Sequence, residues 1–313
     1  MNLYPLLFKP IYCPKIWGSE SWQLSAYGDL LSEVENGYLA ENTLPELMEI
    51  YMDELVGGQV YERYGTRFPL LFKFIDAQDD LSIQVHPADS EPGFGGKTEM
   101  WYVTEAQPGA QIVMGFAQDT TAEEIQARLA DGTLSELMQH TPVVKGDVAF
   151  IPAGRIHALC RGTRVAEIQQ NSDTTYRLYD YDRRDAQGNA RPLHLKEALQ
   201  VLDYKHTEQP LTPYAVPANG AVNLADDPHF TTNMLAFDRL IERDYAPLDS
   251  FVVYMCVEGE VELTALDAEP DLAVVNVPAG TTVLLPASLN DIRLRPTTPS
   301  AKLLEVYLSA PQA

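Results

Sequence analysis

Gln84 and His86 stand two residues apart in Leu81-Ser82-Ile83-Gln84-Val85-His86-Pro87, an apolar, β-branched setting. On a strand, residues i and i+2 project from one face. An amide oxygen and an imidazole on one face are two potential metal ligands. Glu99 and His157 extend the set: two histidines, a carboxylate and a neutral oxygen donor suit Zn2+ or another divalent first-row metal. His86 precedes Pro87, and His157 follows the Pro152-Ala153-Gly154 turn, which points both toward strand ends. Taken singly, each has a blander reading as a core histidine or a strand glutamine. Only their convergence would make a site. His140 reads as lying at a helix end, where a cation is favoured, His206 and His229 as lying in loops, and His194 as preceding a helix. All four read as structural or solvated.

The chain beyond His157 is rich in polar groups. In Glu167-Ile168-Gln169-Gln170-Asn171-Ser172-Asp173-Thr174-Thr175-Tyr176-Arg177, extended backbone puts Glu167, Gln169 and Asn171 on one face. Residues 145–184 hold seven Lys/Arg against five Asp/Glu, within a chain of formal net charge -23. An anionic substrate needs such a local basic region. Arg177 has the planar fork to grip a phosphate or an enediolate, whereas most of the neighbouring arginines read as surface charges. Lys97 follows Gly93-Phe94-Gly95-Gly96, where glycine permits close backbone approach. It reads equally as a substrate contact or as a solvated loop lysine.

These residues need strands to carry them. Strand-like runs start at Phe68–Ile75 and continue through 81–86, 99–104 and 110–116, then Val143-Val144 and Val148–Pro152, each bounded by Gly, Pro or Asp. Helical signals occupy 41–64, with Asn42 or Thr43 as cap and Pro45 just inside. They recur at about 119–140, with a break at Gly132, and at about 195–203. Prolines 210, 213 and 217 punctuate a linker over 206–227, and a second strand-rich block fills 228–313. Many short strands with Gly and Pro turns predict a mainly β protein of closed or double-sheet barrels with a few helices alongside. An internal similarity predicts two barrels. Gly146–Gly154 aligns with Gly280–Ser288, which sets His157 opposite Asp291, and a looser match of Met100-Trp101-Tyr102-Val103 with Val252-Val253-Tyr254-Met255 sets Glu99 opposite Phe251, give or take one residue. Ligands are therefore expected in the first barrel only. The domains read as 1–205, a linker over 206–227, and 228–313.

The chain has 313 residues, of which 45% are apolar, enough for a large core. Three scattered cysteines argue against a disulfide framework and for a reducing compartment. Met1 to Pro14 shows no signal-peptide pattern, and no apolar run is long enough to span a bilayer. A cytoplasmic location is expected. The negative charge argues against nucleic acid or an anionic membrane as partner.

The motifs Leu81–Pro87, Lys97-Thr98-Glu99-Met100-Trp101-Tyr102 and Ile151-Pro152-Ala153-Gly154-Arg155-Ile156-His157-Ala158 together resemble the type I mannose-6-phosphate isomerases. Trp17-Gly18 and Phe68–Lys73 also look like that family's N-terminal segments, and the resemblance runs from about residue 9 to residue 205. It implies a zinc-dependent aldose–ketose isomerase of cupin (jelly-roll) fold, interconverting mannose 6-phosphate and fructose 6-phosphate through a cis-enediol(ate). It implies one Zn2+ per chain on Gln84, His86, Glu99 and His157, and Arg177 as catalytic arginine. Glu167 falls where a glutamate base is proposed in the long forms, with Lys97 and Asp173 the other candidates for moving the proton. Ser82 and Lys97 match positions associated with the sugar phosphate, and Asp173 is expected beside them. The family pattern there is Ser-Asp-Asn-x-x-Arg, and Thr174 stands in place of its asparagine. A sugar-phosphate substrate and a monomeric or homodimeric state complete the expectation.

Cupin barrels host unrelated functions. An Fe2+ oxygenase would consume oxygen, but the Glu and Gln donors and the basic region speak against it. A non-catalytic sugar-phosphate-binding or regulatory cupin would bind without interconverting the sugars. Lys97, Glu167 and Arg177 favour catalysis. The second barrel is expected to serve packing or dimerisation.

Overall fold

The computed structural model describes residues 3–91, 93–185 and 187–309. The chain opens with β1 (Leu6–Leu7), β2 (Ile11–Lys15), β3 (Gly18–Leu24), β4 (Ala26–Tyr27) and β5 (Leu30–Leu31), then α1 (Leu44–Val56) and α2 (Gly58–Tyr64). Next come β6 (Leu70–Ala77), β7 (Ile83–Val85), β8 (Glu99–Ala106), β9 (Gln111–Phe116), α3 (Ala122–Ala130), β10 (Met138–Pro142), β11 (Val148–Ile151), β12 (His157–Leu159), β13 (Thr163–Gln170), β14 (Tyr176–Tyr179) and α4 (Leu195–Val201). The rest is β15 (Gly220–Asp227), β16 (Phe230–Phe237), β17 (Ile241–Asp244), β18 (Val252–Glu258), β19 (Glu260–Ala265), β20 (Val274–Pro278), β21 (Thr282–Leu285), β22 (Asp291–Pro296) and β23 (Ala301–Tyr307). The fold is mainly β and antiparallel, and no helix among the described residues is long and apolar enough to cross a membrane.

Two compact units divide the chain. Tyr12–Ser21 with Lys73–Thr212 form one, and the remaining described residues form the other. In the first unit, the sheet β11-β8-β13-β6-β3-β2 faces the sheet β10-β9-β12-β7-β14. Trp17, Ile75, Trp101, Ile112, Met114, Ile151 and Val165 fill one core cluster. The alternate residues Ile83, Val85, Val113, Ala158 and Leu178 join a second cluster with Ile125, Leu134, Ala198 and Leu202. That alternation forces the chemistry inward: with Ile83 and Val85 packed against helical residues, Ser82, Gln84 and His86 must face the barrel interior. Thr121 caps α3 by accepting the Glu124 N–H.

The other unit repeats the plan. Its sheets run β21-β18-β23-β16-β15, with β1 at the edge, and β20-β19-β22-β17. These are the same strand orders as β11-β8-β13-β6 and β10-β9-β12-β7. Two jelly-roll barrels follow from this repeat. The registers align residue by residue, since Ile151 pairs with Glu99 as Leu285 pairs with Val252, and His157 pairs with Gln84 as Asp291 pairs with Asp244. Asp244, Ala246, Val252 and Asp291 thus occupy the positions of Gln84, His86, Glu99 and His157.

Three local differences from the sequence reading have simple causes. Helix ends at Ala130 and a short 3-10 turn covers Leu134–Leu137, so 138–142 is strand β10, and His140 lies opposite Val113 of β9 rather than at a helix end. Residues 220–227, expected as linker, form β15, because the turn before Phe230 lets them pair with β16. Residues 22–72 go with the C-terminal strands instead of with 73–205. Gly58 and Gln59 donate their N–H groups to the Asp249 carboxylate, and the Leu55 carbonyl accepts from Ala287.

Candidate metal centre and adjoining cavity

Three strands bring the four donors together. Gln84 comes from β7 and His86 follows it directly, while Glu99 opens β8 and His157 opens β12. The nearest ligand atoms of His86, Glu99 and His157 lie within 4.8 Å of one another, and all three residues are buried. His86 Nε2 is 3.6 Å from one Glu99 oxygen, and His157 Nε2 is 3.1 Å from the other. Donors about 2.1 Å from a common tetrahedral ion sit roughly 3.4 Å apart, so the spacing suits a zinc-sized ion. The Gln84 amide reaches within 3.4 Å of His157 Nε2.

The histidines are oriented from behind. His86 Nδ1 donates to the Thr174 carbonyl at 2.9 Å, and His157 Nδ1 donates to the Arg155 carbonyl at 2.8 Å. A carbonyl can only accept, so Nδ1 carries a proton in each ring, and in the neutral imidazole the lone pair is then on Nε2, which faces the cluster as a ligand must. Burial, followed by the Lys97 charge, holds the His86 pKa well below its usual value, which keeps the imidazole neutral. Burial acts against ionisation of Glu99, but Lys97, His86 and His157 overcome it and hold the carboxyl well below the carboxylate range. Both side chains are therefore in their metal-binding protonation states at neutral pH. Neither Glu99 oxygen has a hydrogen-bond partner, although the Lys97 ammonium stands 2.7 Å from one of them without hydrogen-bond alignment. A buried carboxylate left in that condition is costly. A bound cation would satisfy it, so the donor set fits a divalent metal.

A cavity of about 210 Å³ adjoins the cluster. Ser82, Gln84, Lys97, Glu167, Asp173 and Arg177 all line it. Lys15, Lys73 and Arg191 add three more cations to Lys97 and Arg177, against Glu20, Glu167 and Asp173. The wall is thus net positive inside a strongly acidic chain. Arg177 donates from Nε to Ser82 Oγ at 3.2 Å and from its terminal nitrogen to the Pro192 carbonyl at 3.0 Å. Burial and then the Arg191 charge lower its pKa. No described carboxylate forms an ion pair with it, and the Asp180 and Asp173 charges act on it only from farther away. Glu167 accepts the Trp101 indole N–H at 2.9 Å and faces the Lys73 ammonium at 3.1 Å. Burial would lower the Lys73 pKa, but the Glu167 and Glu20 charges outweigh it and raise it. Lys73 is a fixed cation.

Sequence reasoning did not single out Lys73 or Arg191. A lone lysine inside the apolar run Leu70–Ile75 was the available signal for the first. Arg191 had none, since its place depends on a clasp to Asp180. The remaining histidines lie outside the cluster. His140 meets Ser135, His206 the Phe116 carbonyl and His229 the Asp227 carboxylate, while His194 accepts the Arg177 backbone N–H.

Comparison with known proteins gives a consistent picture. The family model "Phosphomannose isomerase type I, catalytic domain" matches residues 17–108. Bacillus subtilis mannose-6-phosphate isomerase ManA is 41% identical over 224 residues, covering 65% of this chain and 69% of its own. A Streptococcus mutans mannose-6-phosphate isomerase is 37% identical over 219 residues, covering 63% and 67%. Among solved structures, a mannose 6-phosphate isomerase from Bacillus subtilis superposes with a TM-score of 0.83 at 29% identity, covering 97% of this chain and 99% of its own.

Proposed function

The chain belongs to the type I mannose-6-phosphate isomerases, and from that membership we propose that it interconverts mannose 6-phosphate and fructose 6-phosphate at the cavity beside Glu99. Gln84, His86, Glu99 and His157 would hold one Zn2+. When bound, the ion supplies Lewis acidity toward the sugar oxygens near C1 and C2 and fixes the donors around it. The observation that carries this reading is the pair of unbonded, buried Glu99 oxygens facing two oriented imidazoles at the end of a net-positive cavity.

The remaining chemistry belongs to the chain. The cationic wall attracts the phosphate, and Ser82 and Lys97 hold substrate oxygens next to the donor cluster. Glu167 takes the C2 proton of the open-chain aldose and returns it to C1 while the O2 proton passes to O1, with Trp101 and Lys73 fixing the carboxylate in place. Negative charge grows on the sugar as a cis-enediol(ate) forms, and the Arg177 guanidinium, which has no ion-pair partner among the described residues, stabilises it. Asp173 lies exposed on the same wall and orients sugar hydroxyls. Catalysis resides in this barrel, and the second barrel, which lacks the donor set, serves packing.

Metal analysis coupled to an isomerase assay tests the proposal. Complete chelation should abolish turnover, and added Zn2+ should restore it. Turnover that survives complete metal removal would sink the metal-dependent mechanism.

A further inference from the structure

His86 and Glu99 are joined by the loop 87–98, and the placement of Glu99 depends on how that loop is held. Asp89 lies at its centre. One carboxylate oxygen accepts the Gly93 N–H at 2.8 Å. The other accepts the Gly96 N–H at 3.2 Å and the Gln170 side-chain amide at 2.8 Å. Gln170 completes the clasp. Its amide oxygen accepts the Thr98 N–H at 2.8 Å, and its own N–H donates to the Thr98 carbonyl at 3.1 Å. A Cβ on Gly96 would lie 2.4 Å from an Asp89 carboxylate oxygen and 2.6 Å from the Asp89 nitrogen, so the loop passes too close for any other residue. Lys97 and Glu99 follow within three residues.

We propose that Asp89, acting through Gln170, is a positioning residue: it clasps the loop from both sides and so sets where Lys97 and Glu99 meet the imidazoles. Asp89 is itself outside the donor cluster. These hydrogen bonds to its carboxylate are charge-assisted, and such bonds hold geometry more firmly than neutral ones. With the clasp opened, Glu99 would still be present but loosely aimed, and loose support of a first-line ligand weakens metal binding. This inference rests on the reading that the four donors hold a metal.

The test is Zn2+ titration of metal-free protein against a chromophoric chelator, for wild type, Asp89→Ala and Gln170→Ala, with circular dichroism and thermal melting alongside. Both variants should keep the fold while binding Zn2+ about 10- to 100-fold more weakly. Their turnover should fall at limiting Zn2+ and recover toward wild type at saturating Zn2+. In metal-free wild type, the Gly93, Gly96 and Thr98 amides should exchange slowly, and in Asp89→Ala the first two should exchange faster. If Asp89→Ala fails to fold, Gln170→Ala, which removes fewer bonds, reads the same affinity. Wild-type Zn2+ affinity in folded Asp89→Ala, or in Gln170→Ala where that is the one that folds, would overturn the clasp. A wild type that takes up no Zn2+ would overturn the metal reading itself.

Discussion

Glu99 and Glu167 are both buried carboxylates in one barrel wall, yet their surroundings differ. Each faces a buried ammonium, Lys97 at 2.7 Å and Lys73 at 3.1 Å, but Glu99 has no hydrogen bond on either oxygen, whereas one Glu167 oxygen accepts the Trp101 indole N–H. The first arrangement suits a metal ligand. The second suits a carboxylate that must keep a fixed direction toward substrate. Replacing Glu167 by Gln should lower kcat by about 10²–10⁴-fold with metal content intact, the usual contribution of a general base. It should also cost stability, because Lys73 would keep its charge after losing its nearest carboxylate, with Glu20 3.9 Å away and the Asp173 charge farther off. A melting curve recorded beside the kinetics separates the two effects. Near-normal turnover would remove Glu167 from the proton transfer. At this scale the sequence was most informative, because Gln84, His86, Glu99 and His157 carry their chemistry in their side-chain types. Lys73 was illegible as a partner because its role depends on Glu167, more than ninety residues away along the chain.

Elements decide what those residues meet. Strand alternation was readable, so the inward placement of Gln84 and His86 followed from the apolar Ile83 and Val85 beside them. The segment after β14 was not readable. It is shaped by Asp180, which binds Arg191 through both oxygens and Arg183 at 2.7 Å, and thereby brings Arg191 to the cavity. Burial acts to raise the Asp180 pKa, but hydrogen bonds from Arg191 and then Arg183 outweigh it and lower it. The sign follows by linkage. A carboxyl depressed on folding stabilises the protein fully above its unfolded value, about 3.9, and that contribution is lost as pH falls through the folded value. Asp180→Asn should therefore reduce stability at pH 7 by about 2 kcal/mol and flatten the acid limb below about pH 4. It should also raise KM by releasing Arg191. Urea midpoints measured from pH 7 to pH 3 check the first two effects. Parallel pH curves for variant and wild type would count against this role for Asp180.

At the scale of the whole molecule, two barrels with one strand order carry different interiors. The repeat between Gly146–Gly154 and Gly280–Ser288 revealed the duplication, and the register places Asp291 opposite His157, with Val252, one residue from Phe251, opposite Glu99. What the repeat could not reveal is that one carboxylate position survives. Glu167 pairs with Trp101 as Glu305 pairs with Tyr254. In the second barrel that carboxylate is closed off. Glu305 is fully buried, takes two hydrogen bonds from Arg243 at 2.9 and 3.0 Å and one from Asn233, and also accepts from Tyr245. Every part of it is spent on neighbours within its own barrel, which is what a structural core needs and an active site cannot allow. Arg243→Met would leave the Glu305 charge buried with neutral partners, at a cost of about 3–5 kcal/mol. Arg243→Met with Glu305→Leu should recover much of that loss, since a buried pair replaced together by apolar residues is often close to neutral. Zn2+ content and KM should be unchanged in the double variant, because none of the donors or cavity residues lies in this barrel. Urea unfolding and metal analysis of both variants read the two effects separately. A double variant that is stable but has lost metal or substrate affinity would show that the second barrel does more than pack.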